Sequence, residues 1–129
     1  MCLIHDLGEC FIGDIPTFAK TDADEAREEA ELMAWVRSLP ERVSGEMEAL
    51  YREMIALETP EAKLYKAMDK LEAIVQHNES DIATWEPHEY ALNMTYADDA
   101  AAWSPVLREL REAIRDDTKE KIAAAEQTV

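Results

Sequence analysis

Apolar residues recur along the chain at the three-and-four spacing of amphipathic helices, and a few Gly and Pro residues cut that pattern into segments. Leu3, Ile4, Leu7, Phe11 and Ile12 put one apolar face on a helix over residues 1–12, which Gly13-Asp14-Ile15-Pro16 stops. Thr21 with Asp24 forms a capping pair for a second helix, whose inward stripe is Leu32, Trp35, Val36 and Leu39 before Pro40. A third helix starts at Glu41 or Glu46, its onset blurred by Ser44-Gly45, and carries Met47, Leu50, Tyr51, Met54 and Ile55 to Leu57. Thr59-Pro60, an N-cap residue before a proline at the first helical position, opens a helix to His77 with Leu64, Met68, Leu71 and Val75 as its core stripe. After a polar loop over residues 78–87, residues 90–102 read as a helix weakened by Asn93, Thr95 and Asp98-Asp99. Ser104-Pro105 opens a last helix through Leu107, Leu110, Ile114 and Ile122, with fraying from Ala124 to Val129. No period-two run, glycine-rich phosphate loop or internal repeat interrupts this order, so the expected fold is all-α. The expectation is one domain over residues 1–129, a bundle of five to six helices with its core in about residues 1–115.

Composition and charge narrow the function. The chain has 129 residues, 47% of them hydrophobic, which is ample for one packed core. Thirteen Lys and Arg stand against 29 Asp and Glu, for a formal net charge of -16. A surface tracking the phosphates of DNA or RNA, or an anionic membrane, is hard to build from such a balance. Apolar runs are short, and Asp6 and Glu9 interrupt the start where a signal peptide needs an apolar stretch, so a soluble cytoplasmic protein is expected. Cys2 and Cys10 are too far apart on one helix for a disulfide and have no C-x-x-C partner, and they read as two small buried hydrophobes. The first helix begins at Met1 at full apolar density with no capping residue, as a domain entered in the middle would.

The candidate chemistry lies in the same opening segment. His5-Asp6 sets an imidazole beside a carboxylate, and on a helix the two can converge on one metal ion. Glu9 follows one turn later, and Asp14 lies in the Gly-containing turn that could bring it back toward that face. Asp69 borders the apolar stripe of the Thr59-Pro60 helix, on a row with Tyr65, Glu72 and Gln76. A half-buried carboxylate there needs a cation: either a metal shared with His5 and Asp6, or Lys66 or Lys70 at the surface. His77 at a helix end and His88 in a polar loop read as surface residues.

His5-Asp6-Leu7-Gly8-Glu9, Gly13-Asp14-Ile15-Pro16-Thr17, Pro60-Glu61-Ala62-Lys63 and Met68-Asp69-Lys70-Leu71-Glu72 together resemble the HD-domain phosphohydrolase superfamily. More narrowly they resemble its branch of 5'-deoxynucleotidases, over residues 1 to about 115. The resemblance implies a helical bundle holding one divalent metal, with His5, Asp6 and Asp69 as ligands and Glu9 and Asp14 at the family's catalytic acidic positions. It also implies a further metal-binding histidine on a helix upstream of the doublet, a helix this chain begins too late to contain, so the domain is expected to be N-terminally incomplete. The implied reaction is metal-dependent hydrolysis of deoxynucleoside 5'-monophosphates to deoxynucleoside and phosphate, with the roles of Glu9 and Asp14 open. Lys20 is a candidate phosphate contact, or an exposed lysine at a helix foot. Mixed imidazole and carboxylate ligands suit Mn, Co, Fe, Ni or Zn. The implied partner is a small phosphorylated substrate, with no nucleic-acid polymer and no membrane, and relatives make a homodimer the expected assembly. Two other readings stand beside this one: a truncated or inactive HD-domain fold serving as a helical interaction module, and an acidic bundle with no metal.

Overall fold

The computed structural model describes residues 1–16 and 19–127, and among them the chain is all-α, with seven α-helical segments, one 3-10 turn and no strand. In chain order these are α1 (Glu9–Ile12), α2 (Asp22–Ser38), α3 (Glu41–Ala56), α4 (Pro60–Glu79), the 3-10 turn at Ile82–Thr84, α5 (Glu89–Thr95), α6 (Asp98–Ala101) and α7 (Pro105–Glu126). None of these helices is long and apolar enough to cross a membrane. The chain divides into two compact units, Met1–Ala62 and Lys63–Val129. Thr17 and the end of the chain at Val129, which the sequence placed in the motif string and in a frayed tail, lie outside the described residues.

The local start signals operate as the sequence implies. Thr21 and Asp24 form a complete capping box, and these bonds from Thr21 hold the Asp24 carboxyl below its ordinary range. Thr59 Oγ1 accepts the Ala62 N–H at 3.2 Å and donates to Glu53 Oε1 at 2.6 Å. Ser104 caps α7 by accepting the Leu107 N–H, with Pro105 in the first turn.

In the first unit α2 packs on α3, and the buried residues are Leu32, Met33 and Val36 on α2 and Tyr51 and Met54 on α3. The opening segment departs from the expected helix over residues 1–12: only α1 is α-helical. The residues before α1 instead turn through i→i−3 bonds, from Ile4 N to Met1 O and Leu7 N to Ile4 O, and such bonds continue into α1 from Glu9 N to Asp6 O and Phe11 N to Gly8 O. This tighter winding has about three residues per turn, so it carries the 3.6-period apolar face off register. Gly8 is buried, while Leu3 is 98% exposed and Phe11 39%. Cys2 and Cys10 are exposed free thiols for the same reason, not the buried hydrophobes the spacing implied. Two contacts tie the segment down: the Tyr51 hydroxyl donates to the Ile4 carbonyl at 2.8 Å, and the Phe11 ring lies 6.2 Å from the Trp35 ring.

The second unit is built on Ala67, Leu71 and Ile74 of α4, Ala97 and Ala101 around α6, and Leu107 and Ile114 of α7. The expected α4 stripe is thereby corrected: Leu71 is buried, whereas Leu64, Met68 and Val75 are at least a third exposed. Small residues at Ala67, Ala97 and Ala101 let backbones approach closely, and the inward face follows them instead of the bulkiest apolar side chains. On α7 the inward row is Leu107, Arg111, Ile114 and Thr118, so Arg111 takes the place expected of Leu110. Thr118 Oγ1 donates to Asn78 Oδ1 at 3.0 Å, and Asn78 Nδ2 donates to the Ile114 carbonyl at 3.1 Å, linking α4 to α7. The helix expected over residues 90–102 breaks in two, because Tyr96 turns extended and Ala97 takes a left-handed φ of 68° between α5 and α6. His77 is not a surface residue of the helix end. It is half-buried, with Nδ1 2.9 Å from Asn93 Oδ1 and its ring 5.9 Å from that of Trp85.

Candidate active site

The His5-Asp6 doublet lies in the tightly wound segment before α1. His5 Nδ1 is 2.8 Å from the Cys2 carbonyl oxygen, which can only accept, so Nδ1 carries the proton. Nε2 then stands 3.0 Å from Asp6 Oδ2. A nitrogen lone pair and a carboxylate oxygen at that distance repel unless a cation, a proton or a metal ion, lies with them. A ring nitrogen oriented by a backbone carbonyl is also the usual outer support of a metal-bound imidazole. By donor type and spacing, His5 and Asp6 fit two positions in the coordination of a divalent metal. Among the described residues, no three His, Cys, Asp or Glu side chains are grouped so as to hold a metal ion.

Glu9, in the first turn of α1, is the most electrostatically loaded group of the segment. Burial pushes its carboxyl above the ordinary range, the nearby Asp6, Asp14 and Glu28 carboxylates push it further, and Lys20 opposes them. Asp14 is exposed just beyond Gly13, whose φ of 88° ends α1 in a conformation open to glycine. Lys20 extends its ammonium to Glu28 Oε2 on α2 at 2.6 Å, and this bond raises its pKa against the opposing effect of burial. Glu28 is the residue that the sequence reading missed. Its one advance signal was Gly8: a Cβ there would lie 2.6 Å from Glu28 Cγ and 2.8 Å from Oε1. Glycine inside the H-D-x-G-E string is what lets α2 bring Glu28 against the segment, and Glu28 in turn anchors Lys20.

Asp69 belongs to the second unit. It is half-buried on α4, with Oδ2 2.9 Å from Lys66 Nζ, so the lysine partner considered from spacing is present. Burial lowers the Lys66 pKa, but the Asp69 bond and charge, joined by Tyr65 and Tyr96, raise it above its ordinary value. The structure thus brings His5 to Asp6, and Glu9 into the field of Asp6, Asp14, Glu28 and Lys20, while Asp69 is anchored on α4 by Lys66.

With this geometry in hand, the chain can be placed. The family model for the HD domain matches residues 1–111, and the chain belongs to the HD-domain family. At finer grain it is similar to the 5'-deoxynucleotidase HDDC2 of Danio rerio, 35% identical over 89 residues, which are 67% of this chain and 44% of that protein. The 5'-deoxynucleotidase HDDC2 of Bos taurus is 33% identical over 61% of this chain and 40% of its own length, and that of Homo sapiens 32% over 67% and 44%. The matched stretch is less than half the length of these relatives. No solved structure matches the chain.

Proposed function

We propose that the chain carries the catalytic segment of a cytoplasmic, metal-dependent phosphomonoesterase acting on deoxynucleoside 5'-monophosphates. The observation that supports this most is the His5-Asp6 doublet, with one ring nitrogen held by the Cys2 carbonyl and the other facing a carboxylate at 3.0 Å. The names of the HDDC2 relatives supply the substrate class. His5 and Asp6 would hold the metal, of the Mn, Co, Fe, Ni or Zn type, which when bound would supply Lewis-acid polarisation of the phosphoryl oxygens. Water attacks phosphorus, the bond from phosphorus to the sugar 5' oxygen breaks, and the departing oxygen takes a proton. Glu9 suits this proton movement, because its neighbours hold its carboxyl above the ordinary range. Asp14, exposed beside it, is the second acid. Lys20 has further N–H donors beyond the one directed at Glu28, and these suit a substrate phosphate. The homodimer expected from relatives belongs to the same proposal.

A second reading is an inactive HD fold serving as a helical interaction module. One experiment separates the two. Phosphate release from deoxynucleoside 5'-monophosphates is measured with each divalent metal, together with bound metal, for the wild type, Asp6→Asn and Glu9→Gln. The enzyme reading expects metal-dependent turnover, loss of both metal and activity in Asp6→Asn, and a roughly 100- to 10,000-fold loss of activity with metal retained in Glu9→Gln. Absence of turnover and of bound metal with every metal tried overturns the enzyme reading and leaves the inactive fold.

A further inference from the structure

The second unit contains a cationic cleft that the proposed phosphohydrolase chemistry does not use. Arg108, Arg111 and Arg115 project from one face of α7 into a cavity of about 300 Å³, with Asp98 and Glu112 as the acidic groups on its wall. Three guanidiniums face two carboxylates, leaving one positive charge in surplus, in a chain whose net charge is -16. The two inner arginines share one counter-charge: Asp98 Oδ1 lies 2.9 Å from Arg111 Nε and accepts from Arg115 Nη2 at 2.7 Å. Arg111 is only 1% exposed, and its Nη2 donates to the Asn93 carbonyl at 3.0 Å. Its Nη1 is buried with no protein partner among the described residues, and so is Arg115 Nε. Arg108, at the exposed mouth, spends one N–H on the Ala102 carbonyl at 2.8 Å.

A guanidinium keeps its proton when buried, so Arg111 is a fixed charge with an unspent donor in a low-dielectric wall. A buried donor without an acceptor costs about 1–3 kcal/mol, and an anion that draws the Arg111 or Arg115 guanidinium toward the cleft would remove that cost. Chloride offers one acceptor sphere, whereas a tetrahedral oxyanion presents several oxygens to guanidinium forks arriving from different directions, and these charge-assisted bonds are the strong kind. We propose that the cleft between α6 and α7 is a phosphate-binding site, taking either free phosphate or the phosphate group of a small phosphorylated compound. A polyanion is disfavoured, because the strongly acidic chain around a single cationic cleft repels a long phosphate backbone.

The test is a titration of the metal-free chain with inorganic phosphate at constant ionic strength, followed by NMR at the arginine side-chain Nε–H signals, which report on the cleft itself. Saturable shifts of the Arg111 and Arg115 signals are expected, weakened about tenfold in Arg108→Gln and unchanged in His5→Ala. Arg108 lies at the mouth, so its substitution leaves the buried ties of Arg111 intact, and an unchanged unfolding midpoint verifies this. A parallel titration with a deoxynucleoside 5'-monophosphate distinguishes the sources: equal half-saturation identifies free phosphate as the ligand, and tighter binding identifies a nucleotide. The proposal is overturned if acetate at matched ionic strength produces the same shifts, if no shift saturates, or if Arg108→Gln leaves the half-saturation point unchanged. Loss of the phosphate response in His5→Ala would assign the binding to the first unit and overturn it as well.

Discussion

The opening segment of the first unit and the core of the second treat large side chains in opposite ways. In Met1–Ala62 the segment bearing His5, Asp6 and Glu9 leaves Leu3 and Phe11 exposed, and the Tyr51 hydroxyl and the Trp35 ring fasten it to α3 and α2. In Lys63–Val129 the helices close on Leu71, Ile74 and Ile114, and even a charged side chain, Arg111, is taken inside and tied to Asn93 and Asp98. Packing is therefore dense around α4 and α7 and sparse in the opening segment. A segment with few buried contacts opens at low free-energy cost, which suits residues that must admit a substrate, whereas a packed core resists opening.

The largest effect expected from this contrast is at Leu71, which is 1% exposed in the core of the second unit. Leu71→Ala should lower unfolding free energy by about 3 kcal/mol, measured by denaturant titration. A loss below about 1 kcal/mol would mean that this core does not carry the stability of the unit.

Next comes Gly8→Ala, which probes how the opening segment is held. The added methyl meets Glu28 Cγ at 2.6 Å, so Glu28 must swing away and release Lys20. A cost of about 2 kcal/mol is expected from this crowding. Because Glu28 is among the charges that raise the Glu9 carboxyl, the Glu9 titration followed by carboxyl NMR should move down in the same variant. An unmoved Glu9 would separate α2 from the electrostatics of the site.

The pH response of the metal-free chain gives a third comparison. Glu9 is raised in the folded state, so the folded protein holds this proton more tightly than the unfolded chain does. Its contribution to stability is present below the ordinary carboxylate range, near pH 4, and is lost as pH rises through the raised folded value. Glu9→Gln abolishes that loss. The variant should gain stability relative to wild type between about pH 4 and pH 7 and show no gain at lower pH. Parallel stability curves for the two proteins would remove the burial and charge strain assigned to Glu9.

The smallest effect is at Leu3, 98% exposed on the opening segment. Leu3→Ala should change unfolding free energy by less than about 0.5 kcal/mol, measured on the same denaturant scale as Leu71→Ala. A loss as large as at Leu71 would show that Leu3 is covered in solution.

Much of this protein follows from sequence alone, because the relevant physics acts within about one helical turn. Thr21 with Asp24, Thr59-Pro60 and Ser104-Pro105 start helices by bonding to the N–H group three residues away, whatever surrounds them. The scarcity of Gly and Pro sets the all-α class, and the adjacency of His5 and Asp6 puts a base beside a carboxylate. Sequence could not say which apolar residues turn inward. Periodicity favoured Met68 and Leu110, but packing took Ala67 and Arg111, since close backbone approach and a shared carboxylate at Asp98 are properties of neighbours distant in the chain. The same holds at the site: Glu28 reaches Gly8 and Lys20 only because α2 lies across the opening segment. Local bonding could be read residue by residue, whereas burial and charge environment depend on which surfaces meet, and only the tertiary structure decides that.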